Sequence, residues 1–93
     1  MLGIIKVTGR SMMPVLNDGD YVMTRKPRTP RAGFIYVLKH HEHGKIIKRI
    51  DRLDHETVWY KSDNPNGSCG DISVDKVTAR AWLAITPKGM KRL

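Results

Sequence analysis

Apolar residues in this chain come in short runs rich in β-branched and aromatic side chains, and each run is closed by a turn signal. Helices need apolar spacing of three and four residues sustained over a longer stretch, so the pattern points to strands. Ile4-Ile5-Lys6-Val7 ends at Thr8-Gly9, and Tyr21-Val22-Met23-Thr24 follows the turn Asn17-Asp18-Gly19-Asp20. Phe34 to Leu38 is continuously apolar, as expected of a central strand. The polar stretch His40 to Gly44 turns into a strand over Lys45 to Asp51, and Thr57 to Lys61 reads as another. Asp63-Asn64-Pro65-Asn66-Gly67 is a turn, after which Asp71 to Val74 and Val77 to Ile85 finish the sheet, although Ala79 to Ala84 is helical by composition. Pro14 confines Ser11 to Leu16 to one helical turn or a bend, and Pro27 to Gly33 is a basic, proline-rich loop. The expected fold is mainly β, a small, compact and mostly antiparallel domain.

Ninety-three residues allow one domain, read here as 1–93, with no repeat or linker. No apolar run approaches the roughly 20 residues that span a bilayer, and the start lacks the pattern of a signal peptide. The expected location is therefore cytoplasmic. A lone cysteine, Cys69, excludes an internal disulfide framework and fits a reducing interior. The net charge of +8, from 17 Lys and Arg against 9 Asp and Glu, favours anionic partners. The cations are scattered, from Arg25-Lys26-Pro27-Arg28 to the basic tail over 87–93, and no aromatic–basic pattern of the RNA-binding kind accompanies them.

Two residues stand out chemically. Ser11 lies in Gly9-Arg10-Ser11-Met12-Met13-Pro14-Val15-Leu16-Asn17-Asp18-Gly19-Asp20, where Gly9 permits a tight bend and Pro14 locks the chain after it. Such a turn can aim the backbone N–H groups of Arg10 and Ser11 at a developing oxyanion. Lys48 lies in Lys45-Ile46-Ile47-Lys48-Arg49-Ile50. Side chains alternate along a strand, so Lys48 shares its face with Ile46 and Ile50, whereas Arg49 takes the other face. A serine hydroxyl needs a base to become a nucleophile, and a lysine can serve only after its pKa falls from about 10.4 to roughly 7–8. Desolvation between two isoleucines supplies a shift of that sign, and the Arg49 charge adds a weaker push. A plainer reading fits the same residues: Ser11 caps a helical turn and Lys48 reaches out to water.

The ordered segments from Gly9 to Asp20, Lys45 to Ile50 and Ser62 to Ser68 resemble the three boxes of the serine–lysine peptidases. That superfamily takes in type I signal peptidases, LexA-like self-cleaving repressors and phage repressor C-terminal domains. Gly33-Phe34-Ile35-Tyr36-Val37 is similar to its glycine-then-strand segment between boxes. The resemblance implies a coiled-sheet antiparallel β domain, Ser11 as nucleophile and Lys48 as general base. It further implies that Ser68 orients the lysine and that Asp63 and Asn64 order the backbone beside the dyad. No metal or organic cofactor is implied.

The chain departs from the pattern in ways that bear on function. Signal peptidases carry a serine two positions before the nucleophile, where this chain has Gly9, which leaves an oxyanion hole made of backbone alone. The Asp-Ser-Arg triplet that closes their third box is replaced by Gly70-Asp71-Ile72, so its salt bridge is expected to be missing. With ten residues before Ser11, the expectation is that a membrane anchor, an upstream DNA-binding domain and an Ala-Gly cleavage segment are absent. The expectation is a serine endopeptidase cutting another polypeptide, as a signal-peptidase-like or maturation protease does, at an extended segment laid beside a strand near Ser11. The alternative is a catalytically idle β module that binds a protein or nucleic acid through its basic surface.

Other residues take structural readings. His40-His41-Glu42-His43 reads as a solvated turn, because adjacent ligands converge poorly on a metal. Cys69 reads as a small buried or turn cysteine, Trp59 and Trp82 as core or sheet-face residues, and Asp20 as a turn stabiliser. Lys88 to Arg92 reads as a solvated, frayed terminus.

Overall fold

A computed structural model describes residues 2–93. Eight strands form one sheet: β1 (Leu2–Lys6), β2 (Tyr21–Arg25), β3 (Ile35–His40), β4 (Gly44–Leu53), β5 (Thr57–Lys61), β6 (Cys69–Ser73), β7 (Val77–Thr86) and β8 (Gly89–Arg92). The order across the sheet is β1-β2-β7-β3-β4-β5-β6, with β8 paired to β7, and every pairing is antiparallel. Register shifts between Met23 and Thr24, Val37 and Leu38, and Ile50 and Arg52 interrupt three of the ladders. Such irregularities bend a strand and deepen its twist, and a sheet bent at several places coils. A single turn of 3-10 helix, Val74–Lys76, links β6 to β7.

The sheet supports two apolar clusters. One gathers Val7, Met12, Leu16, Val22, Ile35, Ala81 and Ala84. The other gathers Tyr36, Leu38, Ile50, Val58 and Tyr60. Neighbours in sequence divide between them: Ile35 enters the first cluster and Tyr36 the second. That division is why Ile35 to Leu38 is buried at every position, and it follows from the alternation of side chains on a strand covered on both faces.

Ala79 to Ala84 is extended rather than helical, because β7 lies between β2 and β3 and satisfies its backbone on both edges. The expected frayed tail is also corrected. Gly89–Arg92 is solvent-exposed along its length, yet it forms a hairpin with β7 across the Thr86–Gly89 turn. No helix among the described residues is long and apolar enough to cross a membrane.

Candidate active site

The segment after β1 places Ser11. Val7 N–H donates to Asp20 O at 2.7 Å, and Gly19 N–H donates to Val7 O at 2.9 Å, which closes residues 8–18 into a loop. Gly9, with φ of +82°, turns the chain, and its N–H donates to Asp18 Oδ1 at 2.7 Å. The positive φ is a region that glycine adopts freely and other residues rarely do. Asp20 is buried and its carboxylate accepts from Asn17 N–H at 2.9 Å, a turn-stabilising role. Met12 and Leu16 plug the first apolar cluster, each burial contributing roughly 1.5–3 kcal/mol, and so pin the turn that carries Ser11. Pro14 follows Met13 through a cis peptide bond on the exposed side of the turn.

Lys48 arrives from β4. It is 6% exposed, on a strand face that also carries Ile46 and Ile50 of the second cluster. Ile47, on the opposite face, packs on the first cluster, so β4 is covered from both sides here. Ser11 and Lys48 line one cleft of about 270 Å³ together with Ile5, Val7, Met12 and Ile47.

The turn from Ser62 to Ser68 ties these two segments together. Lys48 Nζ donates to Ser62 Oγ at 2.9 Å, and Ser62 Oγ donates to Ser68 O at 2.6 Å. Asn64 grips the nucleophile turn: its N–H donates to Ser11 O at 2.8 Å and its Nδ2 to Arg10 O at 2.9 Å. Its Oδ1 accepts from Asn66 N–H at 3.0 Å, closing an Asx turn. Asp63 holds Arg49 in a fork, with Arg49 Nε and Nη2 donating to Oδ1 and Oδ2 at 2.7 Å each, while Arg49 Nη1 donates to Gly33 O at 2.6 Å.

These contacts revise several expectations. The hydroxyl against Lys48 belongs to Ser62; Ser68 contributes its carbonyl oxygen one bond further out. The register explains the exchange. Arg49 pairs with Lys61, so the next residue past β5, Ser62, falls opposite Lys48 and on its face. A hairpin count from β4 through β5 could have found Ser62. The ion pair thought missing from the third box is supplied from another strand, by Arg49 and Asp63. That pairing holds the Arg49 charge against a carboxylate, so Arg49 adds no push on Lys48. Burial alone lowers the Lys48 pKa. Arg49 is itself held charged, its pKa raised first by the hydrogen bonds to Asp63.

The remaining candidates lie elsewhere. His40 Nδ1 accepts from the N–H groups of Glu42 and His43 in the turn between β3 and β4. Among the described residues no group of three or more His, Cys, Asp or Glu side chains could hold a metal. Cys69 is exposed at the start of β6 rather than buried or in a turn. Trp59 lies under Arg52 on the face of β5, with the guanidinium carbon 4.1 Å from the ring centroid, and Trp82 is half-buried on β7.

A coiled antiparallel sheet that brings a turn serine and a buried strand lysine to one cleft defines a LexA/signal-peptidase-like domain. A family model described as Peptidase S24-like matches residues 1–85, and the chain belongs to that family. No curated protein gives a significant match to the chain.

Proposed function

We propose that the protein is a serine endopeptidase in which Ser11 is the nucleophile and Lys48 the general base. The observation that carries this reading is the Lys48 side chain, 6% exposed and lining the same cleft as Ser11. Water exclusion favours the neutral amine, the only form that can take a proton. Ser62 completes the arrangement. Its own proton is committed to Ser68 O, so it accepts from Lys48 rather than donating to it. One Lys48 N–H is thereby fixed on Ser62, and the lone pair of the neutral amine remains for the Ser11 hydroxyl.

In the reaction, Ser11 Oγ adds to the scissile carbonyl carbon as Lys48 Nζ takes its proton. The oxyanion forms next to the N–H groups of Arg10 and Ser11, neither of which donates to another group among the described residues. Lys48 returns its proton to the departing amine, and the C–N bond breaks to leave an acyl ester on Ser11. Water, deprotonated by Lys48, then hydrolyses the ester and regenerates both side chains. β1 is an edge strand, and Ile5 and Lys6 line the cleft, so a substrate segment in extended form can pair along it. The superfamily resemblance implies small residues just before the cut.

Cleavage of a mixed peptide library tests the reading. Wild type should cut, and Ser11→Ala and Lys48→Met should each lose activity while keeping the fold by circular dichroism. Wild type that cuts nothing across pH 7–10, or Ser11→Ala that still cuts, would overturn it.

A further inference from the structure

A second cavity lies apart from the cleft at Ser11. It measures about 640 Å³ and lies where the end of β2, the following loop and the middle of β7 meet. Five of its eight lining residues are cations, Arg25, Lys26, Arg28, Arg31 and Arg80, and none is acidic. The register forces part of this cluster: Arg25 pairs directly with Arg80 across β2 and β7. Like charges facing each other in a sheet repel, so the fold accepts a local penalty here. Among the described residues none of the five forms an ion pair with a carboxylate.

The walls hold these charges in place. The Arg80 guanidinium carbon sits 4.3 Å from the centroid of the Phe34 ring, and that of Arg25 sits 5.7 Å from the Trp82 ring. Arg80 Nε is buried and has no hydrogen-bond partner among the described residues. A buried donor left unmatched is costly and rare, and a ligand acceptor would remove the cost. Tyr36, 2% exposed, forms the floor: its oxygen accepts from Arg31 N–H at 3.0 Å and its own proton is left to donate. Pro27 and Pro30 stiffen the loop, which lowers the entropy lost when it closes on a ligand.

We infer that the cavity formed by Arg25, Arg28, Arg31, Arg80 and Tyr36 binds a small oligophosphate anion, of the pyrophosphate or nucleoside triphosphate class. Guanidinium forks match phosphate oxygens in pairs, and four arginines with a lysine suit several linked phosphoryl groups better than one. The volume falls within the range of small-molecule sites, and a concave cavity receives a compact anion more readily than the convex face of a duplex. None of these residues takes part in the chemistry assigned to Ser11 and Lys48, so binding here stands or falls independently of peptide cleavage.

Isothermal titration of the whole chain with pyrophosphate, orthophosphate, a nucleoside triphosphate and a short DNA duplex tests the assignment. At about 50 mM salt, pyrophosphate should bind with one-to-one saturation, and orthophosphate about tenfold more weakly. Arg80→Gln should weaken pyrophosphate about tenfold, the loss expected for one charge-assisted pair. Arg28→Gln lies on an exposed loop and should weaken it severalfold without affecting the fold. No saturation at millimolar pyrophosphate, or equal affinity in wild type and both variants, would overturn the proposal. So would tight duplex binding that pyrophosphate fails to displace, because the basic surface would then serve nucleic acid.

Discussion

Replacing Ser62 and Ser68 one at a time separates two readings of the third box. Ser62→Ala removes the acceptor 2.9 Å from Lys48 Nζ and the donor 2.6 Å from Ser68 O. Each hydrogen bond contributes about 0.5–1.5 kcal/mol net, and an orphaned buried donor costs about 1–3 kcal/mol. Lys48 is 6% exposed, so little water can replace the lost partner. The expected destabilisation is about 2 kcal/mol, which for a chain of this size lowers Tm by roughly 8–16 °C. Because the Lys48 N–H loses the acceptor that orients the amine, kcat should fall about a hundredfold, as for loss of a general base's alignment, with KM little changed. Ser68→Ala keeps the carbonyl that the network uses and should stay within about 0.5 kcal/mol of wild type. Urea melts and initial rates on one cleaved peptide give both readouts. Full stability and activity in Ser62→Ala, together with loss of both in Ser68→Ala, would refute the reasoning.

Gly67→Ala should damage the same network from behind, because a Cβ there collides with Ser62 Cβ and meets Asn64 O at 3.2 Å. Overpacking of this kind costs about 1–3 kcal/mol, so the urea midpoint should fall along with the rate. Stability should also depend on pH through Lys48. Its folded pKa is lowered by burial, so the unfolded chain holds the proton more tightly, and this group's contribution rises as pH climbs from the folded value to the ordinary lysine value. Below the folded pKa the cost of burying the ammonium is fully present. The stability difference between Lys48→Met and wild type should therefore favour the variant most below the folded pKa and shrink as pH rises toward the ordinary lysine value of about 10.4, measured by urea melts at each pH.

How much could be read from the sequence depends on which interactions are local. Thr57 to Lys61 matches β5 to the residue, because a half-buried strand bounded by turns declares itself by alternation. The pairing of Lys48 with Ile46 and Ile50 on one face was legible for the same reason. Gly89–Arg92 was not, since a strand exposed at every position carries no apolar rhythm and is held by the backbone of β7. Cys69 and Ser62 illustrate the same limit: exposure and hydrogen-bond partners depend on register between strands. Arg25 and Arg80 lie far apart along the chain and read as scattered surface charge. Only the β2–β7 ladder reveals that they face each other.

The ionisation of one side chain tests the account most directly. Titration of the Lys48 ε-carbon by NMR, in protein labelled at lysine and assigned through Lys48→Met, should give a midpoint below that of free lysine, and Ser62→Ala should move it. A Lys48 that titrates with free lysine, and is indifferent to the loss of Ser62, would contradict the claim that this cleft keeps its amine ready to accept a proton.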